Sequence, residues 1–258
     1  MCTLVLLYKV LEEYPIIALQ NRYAERGSAE IPPMTVRSGK LTVYCPLDAR
    51  GRGTWIGFNE AGLFVAITDQ HTPGWQKGKK SRGLLALSIL GECVNAKEAL
   101  SRALGELPQG YRKCNFIIAD FEQAYHLIHD EKIFVLGISP GVYVVVNITP
   151  LPNMKLDDTT RRILEKAMAR RLRALELARR LKPRDVDEVI RGLMALAADH
   201  AYGRSELSIC YHDDGQWFMS SSTIVAICRD IRLSKIFYCD GNACERPFID
   251  FSHIVTKS

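Results

Sequence analysis

The chain opens MCTLVLLYK (residues 1–9), with a small side chain directly after the initiator methionine and then an apolar run. Initiator methionine is normally removed when the next side chain is small, so a mature chain beginning at Cys2 carries a thiol and a free α-amine on one residue. An α-amine has a pKa of about 7.7–8.0 and a thiol about 8.5, so at neutral pH the amine can take a proton from the sulfur. A side-chain nucleophile served by an N-terminal amine is a known route to activation. The competing reading makes Cys2 a small hydrophobe at a strand edge.

The 3–9 run reads as a strand that mounts this terminus, paired through the polar turn Glu12-Glu13 with a second strand at 14–20 (YPIIALQ). Residues 23–50 mix Pro, Gly and charge and read as a long loop, a kind that is usually functional. A second hairpin follows at 53–58 and 63–68 around Asn59-Glu60-Ala61-Gly62. The basic loop 69–80 ends at Ser81, an N-cap for a helix over 82–93, and Asn95 caps another over 96–104. Strands are expected at 114–121, 124–129, 132–136 and 142–147, helices at 158–181 and 185–200, and closing strands at 206–212, 222–229 and 232–239. Hairpins alternating with helix pairs do not suit a parallel βαβ sheet. They predict an α+β fold, a four-layer αββα sandwich of two antiparallel sheets, formed by one domain spanning residues 1–258.

A net charge of +5 with 24% charged residues fits a soluble chain without a nucleic-acid partner. No apolar run reaches the ~20 residues of a membrane span, and no secretory signal precedes the first strand, so a cytoplasmic location is expected. In the 158–181 helix, Leu164, Met168, Leu172, Leu175 and Leu181 are expected to face the core. Arg161, Arg162, Lys166, Arg170, Arg171, Arg173, Arg179 and Arg180 are expected on a solvated face.

Eight cysteines carry no CxxC pair, so neither a zinc site nor a disulfide framework is suggested. Cys239 and Cys244 flank a turn close enough in sequence for a bridge. His126 and His129 sit in a strand pattern and point to opposite faces; His212-Asp213-Asp214-Gly215 reads as a hairpin turn; His71, His200 and His253 show no triad spacing. No metal site is expected. Asn21-Arg22 ends the second strand, where pairing with 3–9 returns it toward Cys2, and Arg22 there can hold a thiolate or carboxylate or else cap a sheet edge. Asn147 ends a run of β-formers, placed to aim its amide at an oxyanion. Asn59 fits a turn role equally well.

Taken together, Met1-Cys2-Thr3, Asn21-Arg22, GTWIGFNEAGLFVAITD (53–69), Ser81-Arg82-Gly83-Leu84-Leu85, the strand ending at Asn147 and Ser221-Ser222-Thr223 resemble the NRDE family, also called transport and Golgi organisation protein 2-like. The resemblance runs end to end, but Tyr23 and Ala24 stand where that family has its Asp and Glu. It implies an N-terminal nucleophile hydrolase fold, and the block around Asn59 is also similar to choloylglycine hydrolases and penicillin V acylases. In that comparison Cys2 is the nucleophile, Arg22 a nearby cation, and Asn59 and Asn147 oxyanion- or amine-orienting residues. The implied activity is cleavage of an amide or thioester of an apolar small molecule, with no cofactor required. The family's association with haem mobilisation and acyl-CoA metabolism implies an alternative, a non-enzymatic carrier of haem or an acylated ligand. The loops 23–50 and 69–80 are expected to border the pocket, with Asn21, Tyr44, Trp75 and Lys77 lining it and the neighbouring Lys79 and Lys80 suiting an apolar anion.

Overall fold

Alternation along the first strand sets the layers. In β1 (Thr3–Tyr8), Leu4, Leu6 and Tyr8 enter one buried cluster while Val5 and Leu7 enter another, as a period of two requires. The same division recurs in β2 (Ile16–Glu25), where Ile16 and Ala18 face one way and Ile17 and Leu19 the other. Both strands are therefore buried on two sides. The computed structural model describes residues 2–74, 80–154, 156–181, 184–212 and 215–256.

β1 lies between β2 and β10 (Gly141–Val146), antiparallel to both. β11 (Trp217–Ile227), β12 (Lys235–Asp240) and β13 (Ile249–Asp250) extend this sheet to six strands in the order β10-β1-β2-β11-β12-β13. The second sheet runs in chain order through β3 (Glu30–Ser38), β4 (Leu41–Asp48), β5 (Ile56–Asn59), β6 (Phe64–Asp69), β7 (Cys114–Ala119), β8 (Ala124–His129) and β9 (Ile133–Gly137).

Leu4, Leu6, Tyr8, Phe58, Phe64 and Ile117 fill the space between the sheets. On the outer face of the six-stranded sheet, Val5, Leu7, Ile17 and Ile224 pack against α3 (Asp158–Arg180) and α4 (Val186–Ala197). On the outer face of the other, Val43, Val65, Phe116 and Ile118 pack against α1 (Arg82–Glu92) and α2 (Ala96–Glu106). The result is the expected αββα sandwich. Ser81, Asn95, Asp157 and Asp185 cap the four helices by accepting backbone N–H bonds in their first turns, the role their short oxygen-bearing side chains favour. A short α5 (His253–Thr256) follows β13. No helix among the described residues is long and apolar enough to cross a membrane.

Three expectations are corrected. Residues 23–50 are not a loop, because β2 runs on to Glu25 and β3 and β4 form a hairpin. Pro32 and Pro33 mask it in the sequence, but β3 is an edge strand and its register shifts between Ile31 and Met34, the setting in which a sheet tolerates proline. Residues 206–212 are not a strand. Ser208 Oγ donates to the Gly203 carbonyl at 2.6 Å and Ser205 Oγ to that of Tyr202 at 2.8 Å, so serines satisfy the backbone in place of a ladder. The third concerns α3. Leu172 is 60% exposed, and the fully buried positions are Thr160, Ala167, Arg170, Ala174 and Ala178. Alanines bring the helix axis close to the sheet, and the one long side chain admitted beneath it is an arginine that was expected in solvent.

Candidate active site

Cys2 precedes β1 and lies at the wall of a cavity of about 430 Å³, within the usual size for a small-molecule site. Its walls come from both sheets and from the start of α1: Arg22, Tyr23 and Trp217 on one side, Asp48, Trp55, Thr68 and Asp69 on the other, and Lys80 to Gly83 at the rim. Gly53 and Gly83 meet so closely there that a Cβ on Gly53 would lie 2.3 Å from the Gly83 carbonyl carbon. That contact seats the N-terminus of α1 against the cavity.

The two sheets are cross-linked beside Cys2. Gln20 Nε2 donates to the Ile67 carbonyl at 2.7 Å, Thr68 Oγ1 to that of Val146 at 2.9 Å, and the His71 backbone N–H to that of Asn147 at 2.9 Å. Thr3 is paired with Asn21 on one side and Val146 on the other, so the register places Cys2 between Arg22 and Asn147. Expectation and structure agree on that juxtaposition.

Arg22 joins the sheets electrostatically. Its guanidinium pairs with Glu30 on β3, donates to Asp48 Oδ2 on β4 at 2.9 Å, and lies 4.2 Å from the ring centre of Trp55. Burial works against its charge, but Glu30, with Cys2 and Asp48 behind it, raises its pKa. Arg22 thus serves as both an inter-sheet clamp and a cation facing Cys2.

Asn147 is fully buried and held at both ends of its carboxamide. Oδ1 accepts from Arg170 Nη2 at 2.7 Å, and Nδ2 lies 3.3 Å from His71 Nδ1. His71 Nε2 in turn lies 3.3 Å from Asp69, which pairs with Arg82 at 2.6 Å. For Asn147 Nδ2 to donate, His71 Nδ1 must be an acceptor, which puts the ring proton on Nε2 facing Asp69. Burial lowers the His71 pKa despite Asp69, so the imidazole stays neutral. Burial would raise the Asp69 pKa, but Arg82 and then His71 hold it well below the ordinary carboxylate value.

Arg170 is 1% exposed. Besides Asn147 it donates to the Glu206 carbonyl, and among the described residues it has no carboxylate within ion-pair distance. Burial lowers its pKa. An arginine stays protonated even so, and a buried cation without a carboxylate is costly. Arg170, Asp69 and His71 were missed in the sequence; the usable signal was the run of alanines flanking Arg170 on one helix face.

Other sequence candidates lie elsewhere. Asn59 ends β5. Its Nδ2 donates to the Leu90 and Cys93 carbonyls at 2.8 Å each, and its Oδ1 accepts from the N–H groups of Ala61 and Leu63. With its carboxamide so committed, it anchors the β5–β6 turn to the end of α1 and has no reach to an oxyanion. Asn21 also turns away, donating to the Ala197 and Ile209 carbonyls at 3.0 Å and accepting from Ser222 at 2.9 Å. Tyr44 packs against Phe58 with tilted rings in the inter-sheet core. Trp75, Lys77 and Lys79 lie outside the described residues. Tyr23, standing where the family has an acid, lines the cavity and ties its hydroxyl to the Ile209 carbonyl. Cys239 and Cys244 are both free thiols.

Two antiparallel sheets packed face to face between helix pairs are the arrangement of the N-terminal nucleophile hydrolase class of fold. The solved structures agree: penicillin V acylase from Agrobacterium tumefaciens is similar over 100% of this chain and 88% of its own at 12% identity, with a TM-score of 0.58. The C2A mutant of conjugated bile acid hydrolase from Clostridium perfringens covers 98% of this chain and 93% of its own at 14% identity and 0.58. The Caenorhabditis elegans ortholog of N-acylethanolamine-hydrolyzing acid amidase covers 87% and 92% at 11% identity and 0.54. No curated protein matches the chain in sequence. The family model of Transport and Golgi organisation 2 matches residues 1–231, and the chain belongs to that family.

Proposed function

We propose that this protein is a hydrolase of small acyl compounds, in which Cys2, exposed as the N-terminal residue by loss of Met1, cleaves an amide or thioester bond. The observation that carries the reading is the position of Cys2 on the wall of the cavity, between Arg22 and an Asn147 whose carboxamide is fixed by Arg170 and His71. Among the described residues, the two ring nitrogens of His71 face Asn147 and Asp69, and Asp69 is itself paired with Arg82. The α-amine of Cys2 is then the group that takes the thiol proton.

In the proposed reaction the sulfur attacks the acyl carbon and its proton passes to the α-amine. The developing oxyanion accepts from Asn147 Nδ2 and is stabilised by the Arg170 charge. Collapse breaks the C–N bond, the leaving amine takes the proton from the α-ammonium, and an acyl thioester remains on Cys2. Water, deprotonated by the same amine, then releases a carboxylic acid and regenerates the thiol. Trp55, Trp217 and Ile67 offer apolar surface for the acyl body.

A panel of N-acyl amides and acyl thioesters of increasing chain length tests this. Cys2→Ala should reduce hydrolysis to background and Asn147→Ala should reduce it by about 10²–10³, both with unchanged circular dichroism. Turnover that survives Cys2→Ala would remove the proposal.

A further inference from the structure

Far from Cys2 in sequence, His200, Cys210, His212 and Cys244 place one ligand atom each within 4.8 Å of all the others. His200 Nε2 and His212 Nε2 are 2.8 Å apart, with the two rings stacked at 5.0 Å, and Cys244 Sγ is 3.4 Å from His212 Nε2. A tetrahedral ion bound at ~2.0–2.1 Å from nitrogen and ~2.3 Å from sulfur needs ligand atoms roughly 3.3–3.8 Å apart. The four side chains are thus already gathered at close to that spacing. Two imidazoles and two thiols form the donor set typical of a structural zinc site.

The surroundings suit such a site. Asn242 Nδ2 approaches Cys210 Sγ at 3.7 Å, offering an N–H to the sulfur, and Glu245, held by Arg204 at 3.0 Å, lies 3.9 Å from His212 Nδ1. An amide donor to a thiolate and a carboxylate behind a histidine are the supports that orient metal ligands. Cys210 is buried and Cys244 exposed, which gives an ion a path in. Three ligands come from the connection between α4 and β11 and the fourth from that between β12 and β13, so an ion here would clamp together two connections without a shared ladder. The first of these carries the carbonyls of Glu206 and Ile209, which receive Arg170, Asn21 and Tyr23.

We propose that His200, Cys210, His212 and Cys244 bind one Zn²⁺ ion that fastens the connection backing the Cys2 cavity. The sequence conceals it because its spacing contains no CxxC. The test is metal analysis of the full chain expressed with zinc present, together with optical spectra after exchange into Co²⁺. One equivalent of zinc is expected, and cobalt should give the intense ligand-field bands and thiolate charge-transfer absorption of a tetrahedral S₂N₂ site. Cys244→Ser and His212→Ala should each cut bound zinc at least tenfold, while Cys239→Ser, whose sulfur contacts the Gly241 and Arg246 carbonyls, should leave it unchanged. Stripping zinc from the unaltered protein with a chelator should lower Tm by about 5 °C or more. Three results would overturn the proposal: no tetrahedral cobalt spectrum in the unaltered chain, full zinc retention in the Cys244→Ser/His212→Ala double variant, or a Cys210–Cys244 disulfide in protein purified without reductant.

Discussion

Arg170 carries the largest difference between what its sequence context suggests and what it does. It belongs to a helix with arginine at 161, 162, 171, 173, 179 and 180, and composition places it with them in water. Alanines at 167, 174 and 178 decide otherwise, since they allow only one long side chain under α3, and that side chain reaches Asn147. If its charge serves the Cys2 sulfur, Arg170→Met should slow alkylation of Cys2 by iodoacetamide by at least about tenfold. Arg161→Ala, on the exposed face, should leave the rate unchanged. Arg170→Lys keeps the charge and should restore most of the rate, which a purely structural role would not predict. Cys2, Arg22 and Asn147 could be found by reading strand ends, because strand register carries neighbours in space. His71 and Asp69 could not, since their roles depend on a hydrogen-bond chain between two sheets.

Elements with strong local signals were read correctly. The four capped helices follow from N-cap residues, and the hairpin of β7 and β8 matches the strands expected at 114–121 and 124–129. The β3–β4 hairpin and the 206–212 segment were misread because each is decided by context: an edge position that excuses two prolines, and side chains that claim the backbone carbonyls. Asn59 shows the same limit from the other side, as its turn is obvious but its partners, the last carbonyls of α1, are 31 and 34 residues away. Gly62 at φ +83° completes that turn, a conformation glycine adopts without penalty. Asn59→Ala leaves two buried carbonyls and two turn N–H groups short of a partner, and should destabilise the protein by roughly 3 kcal/mol. Urea unfolding should show the loss as a lower midpoint at unchanged slope, with Cys2 alkylation in the folded protein little altered.

For the whole molecule, the layer order was legible because hairpins and helix pairs alternate, and burial on both faces of β1 and β2 leaves only the sandwich. The same burial sets the response to acid. His126, whose Nε2 lies 2.9 Å from Asn115 Oδ1, has its pKa pushed down to about 4, first by burial and then by Arg171. Below about pH 6.5 the unfolded chain binds a proton there that the folded chain refuses, so this residue makes stability fall as pH drops from ~6.5 toward ~4, by at most about 3 kcal/mol. Unfolding midpoints of the unaltered chain and of His126→Gln should therefore converge toward acid pH, and a constant difference across that range would rule the contribution out. The central claim, that a terminal cysteine is the working nucleophile, is tested most directly at the residue itself. The purified protein is treated with one equivalent of an acyl-mimicking electrophile, digested, and its cysteine peptides are weighed. The account predicts a chain beginning at Cys2, with the label on that sulfur ahead of the exposed Cys244. A chain that retains Met1, or a label on Cys244 with Cys2 untouched, would contradict it.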